Sequence, residues 1–236
     1  MRNWIDIDGK PSFAVGLKMA RLPLWTTAAE TVENIAVPGV AVELERHTGQ
    51  YPDFDLELTG YLTHPVCTHD LTRLNTWAQG KRLIMSTQPR LVGIIRKVGQ
   101  ITPTRIGTRA NEIVLPFTFQ PFKYARENFP HDYDKSPAYI RNWGNIYAEP
   151  VYRLTVTNSE AQFAVNDTEL FLNNLSGEVV IDLPRRKIYQ ESNGVLNIVQ
   201  NQTSGAFWRM ILNPGSNTLA WSGISAVSVT VNERYL

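Results

Sequence analysis

A mainly β chain is predicted, built from two β-sandwich-type domains, the first with one α-helix. Three observations predict it. Apolar and polar residues alternate with a period of two through most of the chain, as half-buried strands require. One segment alone keeps a helical period. Turn-forming clusters then punctuate the second half at short spacing, the pattern of a β-sandwich or jelly roll.

In chain order, "SFAVGLKM" alternates at Phe13, Val15, Leu17 and Met19 and predicts an early strand. "FDLELTGYL" sets Phe54, Leu56, Leu58 and Leu62 against Asp55, Glu57 and Thr59. "THDLTRLNTWAQG" places Leu71, Leu74 and Trp77/Ala78 at helical spacing. Thr68 or Asp70 can cap its start and Gly80 follows its end, so a helix is expected over 69–79. "EIVLPFTF" puts Ile113, Leu115, Phe117 and Phe119 on one face. Pro116 lies on the outward set and cannot donate to a ladder, which predicts an edge strand or a bulge.

The aromatic run "VLPFTFQPFKY" is followed directly by "ARENFPHDYDKSPAYIRN", which has no period. Phe117 and Phe119 are expected to close the first core and the aperiodic stretch to join two domains. The expected boundaries are 1–130, a linker over 131–144, and 145–236. In the second domain the strands "VYRLTVT", "AQFAV", "EVVIDL", "KIYQ", "VLNIV", "FWRMIL", "TLAW" and "AVSVTV" are separated by "NNLSGE", "ESNG" and "NPGSN", each rich in turn formers. The terminal "SVTVNERYL" fits either packing on the second domain or a return to the first.

The totals bound the function. The 236 residues are 43% apolar and 19% charged, enough for a core and against disorder. A net charge of +1 gives no general attraction to nucleic acid or to anionic membrane. The single cysteine, Cys67, rules out an internal disulfide framework. "MRNWIDIDGK" lacks the apolar core of a signal peptide, and no apolar run approaches a membrane span, so folding in a cytoplasm is expected.

Chemistry-bearing residues are sparse. "HPVCTHD" brings His64, Cys67, His69 and Asp70 within seven residues, but no second cluster supports it. It reads as a loop entering a helix, with Asp70 in the first turn where its charge suits the dipole, and no metal is expected. The acid pairs Glu43/Glu45, Asp53/Asp55 and Asp55/Glu57 have the composition of glycosidase carboxylates. Their spacing of two places each pair on one outward strand face, which a solvated surface explains. No nucleophile motif and no phosphate-cradling glycine loop occurs. No catalytic, cofactor or metal residue is therefore assigned. Among the aromatics, Trp143 and Tyr147 lie in or beside the expected linker; Trp221 is in phase with Leu219 and expected in the core. Trp208 is opposite in phase to Phe207, so one of the two is expected to face outward. The basic clusters "PRRKIY" and "RLVGIIRKV" read as solvated faces, and the sequons at Asn166, Asn174 and Asn201 as chance matches.

Taken in order, several signatures resemble the distal tail protein family of long-tailed, non-contractile bacteriophages. These are "IDIDGKPSFAVGLKM", "VPGVAVELERHTGQYPDFDLELTGYL", "HDLTRLNTWAQGKRLIMSTQP", "LPFTFQPFKYA", "NWGNIYAEPVYRLT" and "LNPGSNTLAWSG". One departure is Ala41 in "PGVA", where the family often has a second glycine. The resemblance implies an N-terminal domain that forms a homo-hexameric ring and a C-terminal galectin-like sandwich outside it. It implies a virion protein of the tail tip, made in the host bacterial cytoplasm. Its partners would be the major tail tube protein, a tail-associated fibre or lysin protein and, in some members, a receptor-binding protein. No cofactor, no reaction, no membrane and no sequence-specific nucleic acid is implied. Two other classes compete: a carbohydrate-binding β-sandwich module contacting the host cell surface, and a hydrolase using one of the acid pairs. The polar and aromatic set of a galectin site cannot be assembled from the sequence around Trp208 or Trp221.

Overall fold

The computed structural model describes residues 3–36, 38, 42–64, 66–106, 110–192 and 194–236. The chain divides into two compact units, residues 1–126 with Leu236 and residues 127–235. Ala41 lies outside the described residues.

The first unit contains β1 (Ile5–Ile7), β2 (Lys10–Pro11), β3 (Lys18–Met19), β4 (Val32–Ile35), β5 (Leu44–His47), β6 (Phe54–Leu62), α1 (Thr68–Ala78), β7 (Arg82–Met85), β8 (Leu91–Val98), β9 (Thr102–Ile106) and β10 (Ala110–Ala125). Its main sheet runs β2-β1-β7-β8-β10-β6-β3, with β9 also paired to β10, while β4 and β5 form a separate hairpin. The 3-10 turn Ser12–Val15 leads from β2 back to β3, and Asn3 Nδ2 donates to the Ala20 carbonyl at 2.6 Å. The two ends of the sheet thus approach each other, and the sandwich is made by one curled sheet around a single core.

Strand β10 is the spine. It pairs β6 from Asn111↔Leu62 to Phe119↔Phe54. The alternation holds as expected: Ile113, Leu115, Phe117 and Phe119 are all buried. Burying each such side chain contributes about 1.5–3 kcal/mol before entropy is counted. The position of Pro116 corrects the edge expectation. It sits inside the sheet, where the pairing to β9 ends at Val114 and the pairing to β8 begins at Phe117. The missing N–H falls at this change of partner, and Gly99 leaves room for the ring: a Cβ on Gly99 would come within 2.9 Å of it.

The helix spans Thr68–Ala78, with Cys67 as its N-cap. It lays Leu74, Trp77 and Ala78 on the core, and Trp77 Nε1 donates to the Lys10 carbonyl at 2.8 Å. Gly80 is not a left-handed cap; a side chain there would overlap Ile7 and Asp8, so the glycine serves close packing. The early strand is also corrected. "SFAV" is a 3-10 turn ended by Gly16 at φ 79°, and Phe13 is 68% exposed. Four alternating apolar residues fit a strand as well as this turn, and the left-handed glycine decides between them.

The second unit contains β11 (Pro130–Tyr133), β12 (Ala138–Asn142), β13 (Val151–Val156), β14 (Glu160–Val165), β15 (Thr168–Asn173), β16 (Gly177–Asp182), β17 (Lys187–Ser192), β18 (Val195–Ile198), β19 (Thr203–Gly205), β20 (Gly215–Ser222) and β21 (Ile224–Thr230). They form two antiparallel sheets, β11-β21-β13-β16-β17-β18 and β12-β20-β14-β15-β19, with one apolar core drawn from both. The stretch 131–144, expected as a linker, carries most of β11 and all of β12, one in each sheet. "AYIRN" buries Ala138, Ile140 and Asn142 in alternation, a period too short to stand out between two prolines.

Two polar groups fix this core. Tyr152 is buried beside Phe163 and donates its hydroxyl proton to the Met210 carbonyl at 2.8 Å. Buried Asn142 donates through Nδ2 to the carbonyls of Ile146 and Leu212, both at 3.0 Å, and accepts from the Gly144 N–H at 2.9 Å. With no unmet partner, that amide stabilises the "NWGN" turn rather than costing the fold.

Candidate functional site

The residues singled out for chemistry build structure. His64 Nε2, the Cys67 thiol and the Cys67 N–H all converge on Asp70 Oδ2, at 3.2, 3.1 and 3.2 Å. Asp70 is the third helical residue reaching back to the N-cap, one half of a capping box. These donors hold its pKa down at about 2, with the Cys67 side chain as the largest cause. Arg73 lies 3.7 Å from Asp70 Oδ1 and donates to the Val15 carbonyl at 2.8 Å, which ties the helix to the 3-10 turn. His69 is exposed. Of the acid pairs, Asp55 accepts from Thr118 Oγ1 at 2.6 Å and Asp53 lies 3.8 Å from Arg96. Glu43, Glu45 and Glu57 are exposed.

The aromatics divide as their phase implies. Trp221 is partly buried against the second core and Leu219 fully so. Phe207 enters the core while Trp208 is 52% exposed. Trp143 is exposed with the Arg141 guanidinium 4.0 Å from its ring centroid; Tyr147 lies 5.5 Å from the Arg234 guanidinium.

What the structure adds is surface. Every residue of the two strands of the β4–β5 hairpin is exposed, with Ile35 opposite Leu44 and Val32 opposite His47. Its root is well tied: Thr31 N donates to Gln50 O at 2.8 Å, Thr48 Oγ1 to Thr31 O at 2.7 Å, and Gly49 N to Glu30 Oε1 at 2.8 Å. In the same unit, Trp4, Phe13, Leu17 and Met19 line an open groove of about 640 Å³ where the sheet ends approach. In the second unit, edge strand β18 exposes Val195, Leu196 and Ile198. Sequence reasoning missed these surfaces because exposure of an apolar residue is set by what the rest of the chain leaves uncovered.

No protein-family model matches the chain, and no curated protein matches it significantly. A solved structure does. The SPP1 Dit (gp 19.1) protein, described as a paradigm of hub adsorption apparatus in phages infecting Gram-positive bacteria, aligns over 100% of both chains with a TM-score of 0.74. The chain has the Dit fold. At 15% identity the likeness concerns the course of the backbone, while the side chains on the surfaces above are this chain's own. The resemblance read from the sequence is thus met by the Dit fold along the whole chain.

Proposed function

We propose that the chain is a structural hub of a phage tail tip. One observation carries the reading: the fold match to a phage hub protein over the full length of both chains. In this reading the first unit closes into a homo-hexameric ring that joins the major tail tube protein to a tail-associated fibre or lysin protein. The second unit is a galectin-like sandwich on the outside, where receptor-binding proteins attach. The hub works by contact and carries no reaction of its own.

Local physics supports the ring. A two-stranded hairpin is marginal in water by itself, and this one exposes Val32, Ile35 and Leu44. A neighbouring copy would cover that apolar surface. The first unit also offers the unlike groove at Trp4 and Leu17. Head-to-tail assembly needs two different surfaces on each copy, and closes when the rotation between copies divides a full turn. Light scattering on the purified full chain tests the reading: a hexamer is expected, and a monomer over a wide concentration range would overturn it. Labelled antibody on intact virions should mark the tail tip.

A further inference from the structure

Trp208 stands on the 3-10 turn Phe207–Arg209, which follows β19. Its exposed indole meets the buried ring of Phe207 edge to face, with centroids 5.6 Å apart and planes at 79°. The approach to this turn is fixed at Gly205, where a side chain would overlap the Glu169 carbonyl on β15. From the turn between β16 and β17, Arg186 donates through Nη1 to the Trp208 carbonyl at 3.1 Å and through Nη2 to Glu149 Oε1 at 2.8 Å. Glu149 is held on its other oxygen by Arg234. Arg186, Gln200, Phe207 and Trp208 line an open depression of about 440 Å³.

From these features we infer that the depression is a saccharide-binding site. A pyranose has one face of C–H groups and a rim of hydroxyls. The indole supplies a flat apolar platform for the face, already braced by Phe207, so little side-chain freedom is lost on binding. The rim meets a guanidinium and a carboxamide. The guanidinium has five N–H donors, and the two that position Arg186 leave others for hydroxyls; the Gln200 amide both donates and accepts. An apolar ligand would leave these groups unmet. Glu149 is shared between the Arg186 and Arg234 guanidiniums, so this cluster keeps a net positive charge and inorganic phosphate is the competitor to test. A phosphate has no apolar face to lay on the indole, so the recognised group is a sugar ring. The site lies within the second unit and does not depend on ring assembly.

Saturation-transfer NMR on the full chain tests this, because it reads weak binding to a large assembly. The probes are methyl glycosides of glucose, galactose and N-acetylglucosamine and their trisaccharides, with inorganic phosphate as a separate competitor. At least one sugar should show transfer, strongest at its ring C–H protons. Trp208→Ala should weaken it by about tenfold or more, since the platform is gone. Gln200→Ala should weaken it less, and Trp208→Phe should keep most of it. Unchanged far-ultraviolet circular dichroism in each variant shows that the fold is intact. Transfer to none of the sugars, transfer unaffected by Trp208→Ala, or displacement of the sugar by phosphate would each overturn the assignment. Loss of attachment to another tail protein in Trp208→Ala, with no sugar bound by the parent chain, would make the depression a protein contact instead.

Discussion

Lys123 donates from Nζ to the Thr26 carbonyl oxygen at 2.7 Å, across 97 residues of chain. The lysine is 1% exposed, and its ammonium lies 5.6 Å from the centroid of the Phe54 ring. A charge on the spine strand β10 is thus met by a carbonyl dipole and an aromatic face, and it pins the segment that leads into the β4–β5 hairpin. Burial lowers its pKa from 10.5.

The pH dependence follows from that direction. The unfolded chain keeps the Lys123 proton up to the ordinary 10.5, while the folded chain releases it earlier. Stability therefore rises with pH between the folded pKa and 10.5. Tyrosines act in the opposite sense above 10.0, because burial raises the pKa of Tyr133 and Tyr152. Comparing the parent chain with Lys123→Met cancels the tyrosines. The difference in Tm, parent minus variant, should rise with alkaline pH. A difference that is flat between neutral pH and 10.5 would show that Lys123 does not titrate in a dry site.

Gly93 fixes the same segment from another side. A Cβ there would overlap the six-membered ring of Trp25, which packs edge to face on Phe119 at 5.1 Å. Trp25 N also donates to Gln88 Oε1 at 2.8 Å. Gly93→Ala should therefore cost about 1–3 kcal/mol, the usual penalty for overpacking. Denaturant melts measure the loss, and a shifted tryptophan emission should accompany it. A neutral effect would mean that Trp25 can leave its slot freely.

Asp70 should define an acid limb. Its folded pKa is about 2 against an ordinary 3.8, so its contribution is complete above 3.8 and is lost as the pH falls toward 2. Asp70→Asn keeps an acceptor for the Cys67 N–H but removes the charge. The advantage of the parent chain over this variant should shrink through that window and vanish below it. Melting by circular dichroism from pH 2 to 7 reads this directly. An advantage that persists undiminished at pH 2 would assign Asp70 a role other than the ionised cap.

Legibility in the sequence followed the range of the interactions. The alternation at Ile113–Phe119 and the helix at Leu74–Trp77 were readable because burial there repeats with the local backbone period. The outward turn of Trp208 was readable only as one of a pair with Phe207. The strand in "AYIRN" was hidden because its five residues are anchored by β20, which follows more than 70 residues later. Buried Lys123 was unreadable, since only the surrounding fold makes a lysine an interior residue. The depression at Trp208 combines residues from three separate turns, with Arg186, Gln200 and Trp208 meeting only in the folded sandwich.

Assembly should depend on the hairpin. The chain enters it at Thr31 and leaves it at Thr48, whose N–H and hydroxyl both donate to the Thr31 carbonyl, at 3.2 and 2.7 Å. The two ends are therefore close enough to be joined by a short glycine bridge that replaces residues 32–47. None of the described residues among them belongs to either apolar core. The shortened chain should keep the Tm and far-ultraviolet spectrum of the parent, and light scattering should find it monomeric. A milder variant, Ile35→Asp with Leu44→Asp, places two charges on one face of the intact hairpin and should weaken the oligomer in the same direction. If both variants assemble like the parent, the hairpin is not the ring contact, and the groove beside Trp4 becomes the surface to alter next. If the shortened chain loses its melting transition, the hairpin stabilises its own unit, and the double aspartate variant alone then decides the assembly question.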